Sequence, residues 1–188
     1  MAKQYTELDE KHQKFIRDQK LFFTASATAG SRVNVSPRST DVFRIVNETC
    51  AMYLDRTGSG NETAAHLLAD GRLTFMFCSV EGAPLIMRLY GRGRSVYENN
   101  DEFTTLIDQH FEGSYPLGTR QLVVMDIELV QTSCGFGVPL FDYQGERETM
   151  DKWTENKGAD GVRDYQEKNN QISMDGLPTG LPVNPIVE

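Results

Sequence analysis

A chain of 188 residues and 21.2 kDa, 39% hydrophobic and 24% charged, can bury one sizeable core. That average composition argues against wholesale disorder or a fibrous repeat, and no apolar run reaches the ~20 residues of a membrane span. The net charge of −8 is unevenly spread: residues 21–98 hold eight basic side chains against seven acidic, and residues 99–188 hold six against sixteen.

Residues 7–20 have the apolar spacing of a helix through Leu8, Phe15 and Ile16. Short strand-like runs follow at 21–27 and 32–36, the second ended by Pro37, then at 43–46 and 50–55 around an Asn47-Glu48 turn. A second hairpin pairs 72–79 with 85–97 across Glu81-Gly82-Ala83-Pro84. Residues 121–134 form the longest strand, apolar on both faces in its first half, which places it centrally in a sheet or barrel. Two helices interrupt the strands. One spans 63–70 and stops at Gly71; the other spans 100–112, capped by Asn100, with Phe103, Leu106, Ile107, His110 and Phe111 on one face. Residues 142–170 are acidic and polar with sparse apolar anchors, consistent with one or two amphipathic helices. Residues 175–188 carry three prolines and read as an extended arm or a tail. The expectation is mainly β with inserted helices: an antiparallel barrel domain over residues 1–140, with a helical and extended arm over 141–188 packed on the barrel or on a partner.

The three cysteines are scattered with no C-x-x-C, and the three histidines lie in unrelated segments, so neither a redox pair nor a metal site is expected. The N-terminus has no apolar stretch resembling a signal peptide, and a cytoplasmic location is expected. All eight bases of residues 21–98 are arginines. Guanidinium is a fixed fork that suits bidentate binding of phosphate or carboxylate, so a small anionic ligand is expected, not nucleic acid. The run Tyr53-Leu54-Asp55-Arg56-Thr57-Gly58-Ser59-Gly60-Asn61-Glu62-Thr63 leads a strand through a glycine-rich loop into a helix. Backbone N–H groups, hydroxyls and a helix start together make a seat for phosphate, although the same residues would also serve a tight turn and a helix cap. In Arg88-Leu89-Tyr90-Gly91-Arg92-Gly93-Arg94, period two puts Arg88, Tyr90, Arg92 and Arg94 on one face. Gly91 and Gly93 empty the other for a backbone or a flat ligand.

These segments, with Leu21–Ala25, Val35-Ser36-Pro37-Arg38, Ala64–Leu67, Gly71-Arg72, Met76–Cys78, Ser133–Pro139 and Asp175–Pro178, resemble the pyridoxamine 5′-phosphate oxidase-related family of FMN-binding split-barrel proteins. The resemblance covers nearly the whole chain. It implies a six-stranded split barrel, a homodimer, and FMN as cofactor at sites shared between two subunits. It also implies a phosphate held by Ser36, Arg38 and the segment from Ser59 to Thr63. The candidate FMN-binding residues are Ser36, Arg38, Arg56, Thr57, Ser59, Asn61, Thr63 and Arg88; no catalytic residue is identified. Asn61-Glu62-Thr63 stands where the oxidases carry Ser-Arg-Lys, and their C-terminal arginine-and-histidine substrate motif is missing. Oxidation of pyridoxamine phosphate itself is therefore not expected. The expected function is an FMN-dependent oxidoreductase acting on a small-molecule substrate. The alternative is a non-catalytic protein that stores or senses flavin, haem or another flat anion.

Overall fold

The computed structural model describes residues 2–182. Eight strands form one antiparallel sheet: β1 (Lys3–Tyr5), β2 (Leu21–Ser26), β3 (Asn34–Ser39), β4 (Phe43–Asn47), β5 (Cys50–Arg56), β6 (Arg72–Cys78), β7 (Ile86–Val96) and β8 (Thr119–Ser133). The helices are α1 (Glu10–Asp18), α2 (Glu62–Ala69), α3 (Asp101–His110) and α4 (Thr149–Asn169). The strand order is β3-β2-β6-β7-β8-β5-β4, with β1 added to β8. The two ends of that path, β3 and β4, are joined in the chain by the short turn Thr40–Val42 but share no ladder. The barrel is split at this seam.

The sheet curls because its aromatic side chains meet inside. Phe22 on β2 lies 5.0 Å from Phe43 on β4 and 5.6 Å from Tyr53 on β5, ring centroid to centroid, although these strands stand near opposite ends of the order. A second apolar cluster lies on the outer face, where Phe103 and Ile107 of α3 cover Met52, Leu54, Val96, Leu122 and Val124. β8 runs between β7 and β5 and is buried on both faces over residues 120–125, as its doubly apolar first half requires. Asn100 caps α3 by accepting from the Glu102 N–H at 2.9 Å.

Two details correct the sequence reading, and a third decides between its alternatives. The sheet has eight strands among the described residues, not six; β1 is only three residues long and shows no apolar alternation. β3 continues through Pro37 to Ser39. It is an edge strand, so the missing proline N–H breaks no ladder on its free side. The face emptied by Gly91 and Gly93 is already filled. A Cβ at Gly91 would stand 2.0 Å from the Asp126 carbonyl oxygen, and one at Gly93 2.5 Å from Cδ2 of Leu73. Backbone and leucine occupy that space, leaving none for a flat ligand.

The polar segment after residue 141 supplies α4, which breaks at Gly158 (φ 68°, ψ 171°), a conformation natural only to glycine. Residues 171–182 then fold back, with an Ile172–Pro178 bridge and Thr179 fully buried. The remainder of the proline-rich arm, 183–188, lies outside the described residues. Among the described residues no helix is long and apolar enough to cross a membrane.

Candidate functional site

A cleft of about 700 Å³ opens where the barrel is split, between β3, the loop from β5 to α2, and the start of α4. On β3 the exposed Val35 and Pro37 alternate with Asn34, Ser36 and Arg38; Val35 faces away, and Asn34, Ser36, Pro37 and Arg38 line the cleft. Because β3 has no neighbour on that side, its inward residues face open space instead of another strand. The end of β5 adds Arg56, the loop adds Thr57, Gly58, Ser59 and Gly60, and α2 adds Thr63, whose hydroxyl accepts from Asn34 Nδ2 at 3.1 Å.

Beneath the cleft lies a buried ionic cluster. Asp55, 1% exposed, receives Arg120 Nε at 2.7 Å and Gln121 Nε2 at 2.8 Å. Its other oxygen is 2.6 Å from Arg38 Nη1, close but not aligned as a hydrogen bond. Burial alone raises the Asp55 carboxyl. The guanidiniums of Arg120 and Arg38 outweigh it and hold Asp55 below the usual carboxylate range. Arg38 also lies over the Tyr53 ring at 4.5 Å, and burial pushes the Tyr53 hydroxyl up to about 12. Two guanidiniums thus share one carboxylate, leaving a net positive charge at the cleft floor.

The loop is held from behind. Arg120 Nη1 donates to the Gly60 carbonyl at 2.8 Å, and Asn170 Nδ2 donates to the Gly58 carbonyl at 3.0 Å. Gln166 Nε2 donates to the Thr57 hydroxyl at 2.7 Å. Asn61 occupies the N-cap position of α2 but does not cap it. Its side-chain oxygen instead accepts from Gln121 Nε2 at 2.9 Å. No side chain therefore caps α2, and its partial positive charge is open to the cleft.

Six of the eight candidate residues, Ser36, Arg38, Arg56, Thr57, Ser59 and Thr63, come together around this cleft. Asn61 and Arg88 do not. Asn61 is 1% exposed and turned into the cluster, while Arg88 lies on β7 with its Nη1 on the Ser133 hydroxyl at 3.3 Å. Glu62, the acidic departure, lines the cleft, but its carboxylate is engaged by the Met174 N–H at 3.1 Å. Sequence reasoning missed Arg120, Arg147 and Asp151. Asp151 pairs with Arg56 at 2.7 Å, a contact no local motif announces.

The residues fit a phosphate. The Nε groups of Arg38 and Arg56 are both buried without an acceptor among the described residues. Two orphaned cationic donors beside an uncapped helix start are what an anion would complete. The sequence matches the pyridoxamine 5′-phosphate oxidase family over residues 8–134. The chain belongs to that family. It is 35% identical over 192 residues to the pyridoxamine 5′-phosphate oxidase family protein ustO of Aspergillus flavus, an alignment covering 93% of this chain and 76% of that one. HupZ from Group A Streptococcus matches in fold with a TM-score of 0.52 at 15% identity, over 65% of this chain and 91% of its own. A Lactobacillus delbrueckii protein classed with the pyridoxamine 5′-phosphate oxidases matches with a TM-score of 0.53 at 15% identity, over 67% and 94%. The family-model match ends at residue 134, before α4, whereas the alignment with the Aspergillus flavus relative covers 93% of the chain.

Proposed function

We propose that the chain is an FMN-binding flavoprotein that serves as an oxidoreductase for a small-molecule substrate, acting as a cytoplasmic homodimer. The observation that carries the flavin reading is the pair of orphaned arginine Nε donors in a cleft that also presents an uncapped helix start. Arg38, Arg56, Ser36, Ser59 and Thr63 would hold the phosphate, with Thr57 and Asn61 keeping the loop in shape. A bound flavin supplies hydride or electron transfer; the protein supplies binding, orientation and electrostatics. Asp55 draws on Arg38 only through Nη1, at 2.6 Å, while the Arg38 Nε keeps no acceptor among the described residues; the other Asp55 oxygen is held by Arg120 and Gln121.

Fluorescence titrations with FMN and riboflavin test this assignment. Arg38→Ala should weaken FMN by about ten- to a hundred-fold, the equivalent of a charged hydrogen bond worth ~1.5–3 kcal/mol, and leave riboflavin unaffected. Equal losses for both ligands would mean that Arg38 supports the fold or the ring, not the phosphate. Turnover with NAD(P)H and an acceptor, as opposed to stoichiometric flavin without turnover, separates the oxidoreductase from a storage protein.

The homodimer reading is supported by Phe136, Leu140 and Phe141, which stand 83%, 75% and 61% exposed in the single chain. Apolar side chains gathered in one segment are more stable covered by a partner. Light scattering should report twice the 21.2 kDa chain mass. A monomer that persists across concentration would overturn this part of the proposal.

A further inference from the structure

A second cavity, of about 440 Å³, adjoins the cleft on the far side of the Thr57–Ser59 loop. It shares Thr57, Gly58, Ser59, Arg147 and Met150 with the cleft, so the two spaces are the two sides of one loop. Its outer wall is aromatic: Trp153 and Tyr165 meet edge to face with ring centroids 5.1 Å apart. Residues twelve apart on a straight helix would be separated by about 18 Å along its axis. They meet here because α4 doubles back at Gly158. Lys157 lies 5.4 and 5.5 Å from the two ring centroids, yet is not part of the cavity wall, so ring surface remains for a ligand.

Arg147 lines both spaces and makes no ion pair among the described residues. By contrast, Arg38, Arg56 and Arg120, the other arginines of the cleft, each face a carboxylate. The two cavities together thus offer a phosphate seat, a free guanidinium at the junction, and an apolar slot with aromatic walls. That order matches a flavin phosphate, a second phosphate, and a flat heterocycle.

We propose that the Trp153–Tyr165 cavity binds the adenosine half of a flavin adenine dinucleotide, with Arg147 on its second phosphate and the FMN half in the cleft. The proposal rests on the flavin reading above and extends it to residues of the C-terminal segment. Trp153 is the chain's one tryptophan, so its fluorescence reports this cavity directly.

The experiment uses the full chain freed of flavin. ADP should quench Trp153 emission, while inorganic pyrophosphate should not. FAD should bind about tenfold or more tightly than FMN, the scale of one base–aromatic stack. Tyr165→Ala, which keeps the reporter, should abolish that preference. Binding of FMN with no preference for FAD, and no ADP quench, would overturn the proposal and leave the flavin reading standing. Failure of either flavin to bind would overturn both. The wild-type comparison of FAD with FMN is decisive even where the variant fails to fold.

Discussion

Asp55→Asn is expected to destabilise the protein by about 3–5 kcal/mol, the cost of leaving buried charge without its partner. Arg120 and Arg38 are 5% and 19% exposed, and Asp55 is the carboxylate each meets. Asparagine preserves the shape and keeps one acceptor oxygen, so the loss reports charge and not volume. The pH dependence follows from the depressed pKa of Asp55. A carboxyl that ionises more readily in the folded state contributes stability that is fully present above its unfolded value. That contribution is lost as pH falls through the folded value. The gap between wild type and Asp55→Asn should therefore be constant from pH 5 to 8 and shrink only below about pH 4. Urea unfolding of both proteins across that range measures it. A gap already closing between pH 6 and 5 would show that Asp55 is not the paired carboxylate of this cluster.

The cluster also shows what local sequence carries and what it does not. Alternation, doubly apolar runs and helical spacing were enough to place β2 and β4–β8 and the helices α1–α3, because each has at least one face that must be buried, and β5 and β8 have two. Residues 3–5, exposed or half-buried throughout, gave no such pattern, and β1 exists only because β8 has a free ladder to offer. Pro37 read as a stop because an interior strand would not tolerate it; that β3 is an edge strand is a fact of topology, not of its own residues. In the site, that the loop and Arg38 belong together was legible from their glycines, hydroxyls and guanidinium, and they line one cleft. The role of Asn61 was not. Its side chain is diverted to Gln121, 60 residues away, just as Asp55 is claimed by Arg120, 65 residues away. Nor could the cavity at Trp153 be foreseen, since it depends on the backbone reversal at Gly158 between two otherwise ordinary amphipathic stretches.

The other large effect expected is at the centre of the barrel. Phe22 is fully buried, and its ring touches those of Phe43, Tyr53, Phe75 and Phe77 with centroids 5.0 to 5.8 Å apart. These rings belong to β4, β5 and β6, so one side chain links strands from both ends of the sheet. Phe22→Ala removes that link and leaves a cavity that rigid neighbouring strands cannot close, at about 3–5 kcal/mol. For a chain of this size, at ~2–4 °C per kcal/mol, Tm should fall by about 6–20 °C in calorimetry. Phe22→Leu keeps most of the volume and loses mainly the ring–ring geometry, for which ~0.5–1.5 kcal/mol is expected. Comparable losses in the two variants would mean that ring geometry, not filled volume, holds the barrel closed. The change should also reach the cleft. In the ladder between β2 and β3, Phe22 is paired with Arg38, so loosening β2 loosens the edge strand that presents Arg38 to the cleft. Weaker FMN binding in Phe22→Ala, with the loss restored at temperatures well below its Tm, would separate this mechanical dependence from a direct contact.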